Sequence, residues 1–523
     1  MLRFWRNPEF IRHVRAELRP ARAVSVAVVV LFLCALIGLA CWAQRQEILD
    51  TAEHRAHQLD GKWTAYVENL QQDTARQTWL LFSKWLLGLQ AGLLTLWSLF
   101  ACAQSVSAER DRKTWDFQRT TSLTPAELLI GKLLGEPVLV YFGTLCVLPI
   151  TLVAGLIGGL SFGALLAAYV SIFTSALFLG LGGLWLSTLL ETRSRGVGMI
   201  GALGFYGFTA GTIGFATSWF PGLAAFSPLI GLRTIFGINW EGRDVAAALF
   251  GHQVPWLLMN LTLCGSFGAW LVLMLVRNLK RDYDEIRPLS RWQAVGCAAF
   301  LNFVFYALFS FHGSEVKSGE LATFMVSING AILFAMGLAT LTPHERLKVW
   351  WRGRLAGTMS MFSEDGLSWP WLALSALVAY ALMVWGLLAW RPALDFHVRS
   401  LAVAGVQLLV ILVFITRDIL FIQWCTLTRL RQPVVKGFLF LCLYYLAAGV
   451  ITAISSLSSE ASGMATLRLL TPFGIFDPDV EWSHPPVSVY GGLALQIGLI
   501  ALILLAISKR LARPGMVPAV SGD

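Results

Sequence analysis

The sequence predicts an all-α, polytopic integral membrane protein with about twelve transmembrane helices in two six-helix repeats. Three observations predict it. The 523 residues are 56% hydrophobic and only 14% charged, with a mean hydropathy of +0.65, where soluble chains carry about 25% charged residues. Apolar runs of spanning length recur along the chain. Lys and Arg concentrate in alternate loops between those runs. The 21 Trp and 33 Phe suit a protein with two membrane boundaries, where aromatic rings settle.

A spanning helix needs about 20 mostly apolar residues. The runs that qualify are Val24–Trp42, Trp85–Ala103, Val138–Ile157, Ala164–Leu190, Val197–Phe215, Trp256–Val276, Ala294–Ser310, Leu321–Thr340, Trp369–Trp390, Leu401–Leu420, Gly437–Ile454 and Tyr490–Ile507. The fourth is long enough to tilt. The seventh is the shortest. The opening MLRFWRNPEFIRHVRAELRPAR is too long and too charged for a cleavable signal, so the first run is read as a retained span. The segment Gln44–Gln77 is polar with helix-forming composition, which suits either a gate or an extension of two helices.

Orientation follows from the cations. With the N-terminus inside, the cytoplasmic segments hold 28 of the 40 Lys and Arg, the outside segments hold 11, and Arg417 lies near a span end. Both termini are then cytoplasmic. The net charge of +9 is a topology signal spread over seven loops, not a nucleic-acid surface. The eight Cys include no pair with zinc-ligand spacing and read as small apolar side chains.

Before the first span, Asn7-Pro8 can start a helix, Asn as cap and Pro in the first turn. Phe10, Ile11, Val14 and Leu18 share one face, with Arg12, Arg15 and Arg19 elsewhere. That is an amphipathic helix lying on the inner membrane surface.

The two halves share an offset. Glu109-Arg110, Arg112 and Trp115 become Glu345-Arg346, Lys348 and Trp351 on adding 236. Thr192-Arg193-Ser194-Arg195 becomes Thr428-Arg429-Leu430-Arg431. Ser227-Pro228-Leu229 and Thr471-Pro472-Phe473 precede the last span of each half. The expected units are therefore 1–285 and 286–523.

The most informative loop is SAERDRKTWDFQRTTSLTPAELLIGKLL, residues 107–134. Thr124-Pro125-Ala126-Glu127 is a helix start with a capping box. Upstream, Trp115 and Phe117 stand among charges on a short cytoplasmic segment, which suits docking of another protein or tethering to the bilayer.

This loop resembles the first cytoplasmic loop of ABC-2 type transporter permeases over about 30 residues. The shared pattern is Glu109-Arg110, Thr114 opening a short coupling helix, the Thr-Pro turn at Thr120–Pro125, and Gly131-Lys132 before the third span. Lys113 stands where Gly commonly precedes the Thr, and Ser122 replaces a frequent Pro. The resemblance implies a permease, an exporter in a bacterial inner membrane, that does no chemistry itself. Cytoplasmic ABC ATPase subunits then bind its short helices and supply ATP and Mg²⁺. The contact residues it implies are Glu109, Arg110, Arg112, Lys113, Thr114, Trp115, Asp116, Phe117 and Arg119. By the repeat, Glu345, Arg346, Lys348, Trp350 and Trp351 join them. Gly131-Lys132 lacks the upstream Gly of a phosphate loop, so the ATPase is expected on another chain and no cofactor on this one.

A secondary transporter of two six-span repeats is the rival class. Its coupling carboxylates are scarce in the spans. A membrane-embedded enzyme would need clustered His, Asp or Glu at one interface, which the sequence does not offer. Gly159–Gly163 matches a nucleophile elbow only as a turn between spans. His344-Glu345 lacks a second His. Asn302, Asn329 and Gln407 suit either the lining of a path or hydrogen bonds between helices, and the latter is the expectation. Arg417-Asp418 either neutralises itself or sits at the inner interface with Ile419–Trp424 lying flat, and the interface is the expectation.

Overall fold

A computed structural model of the chain describes residues 7–57, 64–189, 201–207, 209, 221–227, 229, 232, 247–250, 252–281, 287–308, 318–389, 398–428, 433–457, 459–473 and 486–512. Contacts divide the chain into two compact units, Met1–Ile286 with Leu308–Ser310, and Arg287–Ala307 with Phe311–Asp523.

The first unit contains α1 (Pro8–Glu17), α2 (Pro20–His57), α3 (Thr64–Asp111), α4 (Trp115–Thr120), α5 (Pro125–Gly135), α6 (Val138–Ile157), α7 (Phe162–Leu189) and α8 (Trp256–Asn278). Of the polar segment 44–77, residues 44–57 continue α2 and residues 64–77 belong to α3, each beyond its apolar run. α3 and α7 form the centre. Leu87, Ala91 and Leu94 of α3 meet Leu165, Ala168 and Ile172 of α7, all buried. α2 is peripheral, with Val24, Val28, Val29 and Phe32 exposed, as expected of a helix facing lipid. Gln90 on α3 donates to Thr151 (2.7 Å) and accepts from Tyr169 (2.9 Å). Such buried polar groups need partners because burying one unpaired costs free energy. One feature outside the helical pattern is a two-stranded ribbon, β1 (Ala247–Leu249) with β2 (His252–Val254).

The second unit contains α9 (Arg291–Leu308), α10 (Ser318–Ala339), α11 (His344–Leu355), α12 (Trp369–Ala389), α13 (Val398–Thr426), α14 (Pro433–Ser456), α15 (Glu460–Leu470) and α16 (Val487–Ala512). α13 is central and contacts α10, α12, α14 and α16. Asn329 donates to Tyr306 (2.6 Å), and Gln407 to Thr323 (3.1 Å), so both bind neighbouring helices. Asn302 instead bonds its own helix at Ala298 (2.9 Å).

Nine of the twelve expected spans coincide with helices long and apolar enough to cross a membrane. Leu321–Thr340 falls in α10, which with α11 makes a pair bent by 91°. Of Ala294–Ser310, residues 294–308 fall in α9, which is not among those nine, and the last two lie outside the described residues. Val197–Phe215 lies outside the described residues except at 201–207 and 209, as do Thr192–Arg195, Pro228 and 429–431 from the repeat.

The expectation for Arg417-Asp418 is corrected. α13 is one continuous helix to Thr426, so Ile419–Trp424 does not leave it. The pair is buried and self-neutralising. Two neighbours on a helix point about 100° apart, which hides the pairing from spacing rules. The length of the Arg side chain is what closes it.

Candidate functional site

α3 ends at Asp111, and Lys113 turns the chain with a φ of +56°. This is the left-handed region, which costs a side-chain-bearing residue about 1–2 kcal/mol. The Gly that commonly stands there in the resembling family would adopt it freely. Lys113→Gly is expected to raise the stability of the purified chain by about 1 kcal/mol. Thermal unfolding checks it, and a lowered midpoint contradicts it.

The turn leads into α4. Thr114 is its first cap but makes no capping bond; its hydroxyl donates instead to the Glu109 carbonyl at 3.2 Å. α4 presents two faces. Trp115 and Gln118 are buried, while Asp116 and Phe117 are exposed, Phe117 at 76%. Arg112, Lys113 and Thr114 are exposed as well, and Arg119 pairs with Asp116 at 3.3 Å. Trp115 packs among Cys102, Val106, Leu128, Leu184 and Leu275. Arg110 and Lys132 lie over its ring at 6.0 and 5.5 Å. Pairing Trp115 with Phe117 as surface anchors is thereby corrected: one is core, the other surface.

Glu109 is the hub beneath α4. Its carboxylate accepts from Lys132 (2.5 Å), Gln118 (2.6 Å) and Arg12 (2.8 Å). Those partners belong to α5, α4 and α1. Lys132 is fully buried and also donates to Ser105 at 3.3 Å. Glu136 accepts from Ser105 and lies 3.7 Å from His13. Arg110 donates to the Thr188 carbonyl of α7 at 3.2 Å. Four elements, α1, α3, α4 and α5, thus meet at the Glu109 carboxylate.

α1 is held by the same set. Asn7 caps it, accepting from Glu9 and Phe10 amides, and donates to the Glu127 carbonyl of α5 at 2.6 Å. Glu9 is buried, 2.6 Å from Arg12, 3.2 Å from His13 and 3.5 Å from Lys132. Burial alone would raise its carboxyl pKa, but the His13 hydrogen bond and the Lys132 and Arg12 charges outweigh burial and hold it at about 2. Two glycines of α5 permit the approach. A Cβ on Gly131 would stand 2.7 Å from that of Glu9, and one on Gly135 2.9 Å from that of His13. The helix expected to lie on the lipid surface is therefore docked on protein by its Glu9/His13 face. Phe10, Ile11, Val14 and Leu18 remain half-buried. The capping box at Thr124 and Glu127 of α5 is present as expected.

In the second unit the equivalent positions differ. Glu345 is 84% exposed at the start of α11, whereas Glu109 ends α3 at 10%. Arg346 lies 4.0 Å from Asp365, and Lys348 is half-buried. Trp350 is the buried indole, donating to the Ser360 carbonyl at 3.0 Å, and Trp351 is half-buried. Arg291, absent from the expected residues, is the buried cation here, donating to carbonyls of Thr340, Gly366 and Leu367. The offset of 236 therefore pairs residues in different surroundings.

Sequence reasoning missed Glu9, Gln118, Lys132 and Glu136 as parts of the site. A signal was present for one: Lys132 is a lone cation inside Leu-Leu-Ile-Gly-Lys-Leu-Leu, and a buried Lys must be paired. Among the described residues no cluster of three or more His, Cys, Asp or Glu could hold a metal.

The family model for the ABC-2 type transporter matches residues 1–232. No curated protein and no solved structure matches the chain. The matched segment contains α1 to α7, and so every charge gathered around Glu109. Over residues 1–232 the chain is therefore similar to the ABC-2 type transporter family.

Proposed function

We propose that this permease is the membrane subunit of an ATP-driven exporter, coupled through α4 to separate cytoplasmic ATPase subunits. The observation that carries the proposal is the two-faced α4. Its outer face offers Phe117 and Asp116 to a partner, with Lys113 in the turn before it. Its inner face joins Gln118 to Glu109, and through Glu109 to α1 and α5. Force applied to α4 by a closing ATPase has a short, charged, buried route into the spans. The chain works in a bacterial inner membrane, with both termini and the loops around Glu109 and Glu345 cytoplasmic. ATP and Mg²⁺ belong to the partner.

Phe117→Ala is the test. A desolvated aromatic anchor contributes at least ~2 kcal/mol to an interface, so association with the ATPase subunit is expected to weaken about 30-fold. Membrane abundance should stay unchanged because the ring packs on little in this chain. Trp115→Ala should do the reverse, lowering abundance by opening a core cavity. Pull-down and abundance measured on both variants separate them. Unchanged association of Phe117→Ala removes α4 from the contact.

A further inference from the structure

We propose that the groove between α11 and α16 is a binding site for an anionic glycerophospholipid, with an acyl chain in the groove and the phosphate at Arg354. The proposal rests on the membrane reading of the spans and not on ATPase coupling. The groove encloses about 660 Å³, within the ~300–1,000 Å³ typical of small-molecule sites. Its walls are almost wholly apolar, formed by Trp350 and Trp351 of α11, Trp369 of α12 and Leu504 and Leu505 of α16. Arg354 and Ser508 are its polar residues.

Three features select the occupant. First, α11 leaves α10 at 91°. A helix at right angles to a span lies in the membrane surface, where a lipid presents its phosphate above its chains. Second, α11 has the make-up of an interfacial helix. Val349 and Leu355 are 60% and 71% exposed, beside Arg346, Lys348, Arg352 and Arg354, against a single acid, Glu345. Third, the charge at the rim is uncompensated. The nearby Asp365 is engaged by Arg287 at 3.1 Å, and among the described residues no carboxylate pairs with Arg354, whose one hydrogen bond is a 3.3 Å contact to the Met359 carbonyl. Lys509, next to Ser508 and exposed in the last turn of α16, adds to the same field. Apolar walls with a cationic rim at membrane level complement a lipid with a negative headgroup.

Native mass spectrometry of the full chain in detergent, with equimolar phosphatidylglycerol and phosphatidylcholine, tests the proposal. Phosphatidylglycerol should be retained in preference. One cation near a lipid phosphate is worth about 1 kcal/mol, so Arg354→Gln should cut that preference about fivefold. Leu504→Trp, which fills the groove and leaves Arg354 in place, should abolish retention. Glycerol phosphate lacking acyl chains should not displace the lipid; displacement would mean a free-anion site and overturn the proposal. Equal retention of the two lipids by the unmodified chain overturns it as well, whether or not the variants fold. So does a preference that Arg354→Gln leaves intact.

Discussion

Glu109→Ala should destabilise the chain by about 3–5 kcal/mol, because it leaves the Lys132 ammonium buried without its nearest counter-ion. Lys132 is fully buried, with Glu109 at 2.5 Å and Glu9 farther off at 3.5 Å. Arg12 and Gln118 lose an acceptor at the same time. Removing both charges is a different experiment. Lys132→Met with Glu109→Gln replaces the ammonium by a flexible apolar chain and keeps a side-chain acceptor for Gln118 and Arg12. A buried pair replaced as a whole is often close to neutral, so the double variant should recover most of the loss. Thermal unfolding and membrane abundance of the singles and the double measure it. A double variant no better than Glu109→Ala would show that the charges act independently, and would deny Glu109 its place as the hub.

Arg417→Met should cost a similar ~3–5 kcal/mol in the second unit. Arg417 uses all five of its guanidinium N–H groups. It donates twice to Asp418, and to Tyr444 (3.0 Å), Tyr445 (3.0 Å) and Gln496 (2.6 Å). Its guanidinium also lies 4.6 Å from the Tyr444 ring centre. Tyr444 and Gln496 in turn donate to the Leu470 and Leu469 carbonyls at the end of α15. One cation thus fastens α13, α14, α15 and α16. Arg417→Lys should not rescue, since a three-donor ammonium cannot copy a planar five-donor fork. Arg417→Met with Asp418→Leu should recover stability, because no lone charge is left among apolar helices. Wild-type melting of Arg417→Met would mean that the cluster contributes nothing to the fold.

What was legible in the sequence follows its periodic and local signals. Val138–Ile157 was read to the residue because an apolar run bounded by a Pro and a Gly leaves one answer. The caps at Asn7 and Thr124 were readable because a cap bonds within three residues of itself. Burial inside a six-residue helix was not. Trp115 and Phe117 are two apart with the same charged neighbours, and only the arrangement of α3, α5 and α7 decides which ring turns inward. Glu9 and Lys132 are 123 positions apart, and no local rule joins them. The resemblance marked Glu109 and Arg110 for contact with a partner. Within the chain Glu109 accepts from Gln118 of α4, and Arg110 donates to Thr188 of α7.

The account stands most directly on a photo-crosslinking measurement at position 117. A photoreactive amino acid replaces Phe117 in the intact chain, in cells that carry its transport partners, and the adduct is identified by mass spectrometry. The proposed coupling predicts an adduct with a separate ATP-binding-cassette subunit, formed at normal membrane abundance of the chain. Adducts with lipid alone, or none, at that same abundance would contradict it.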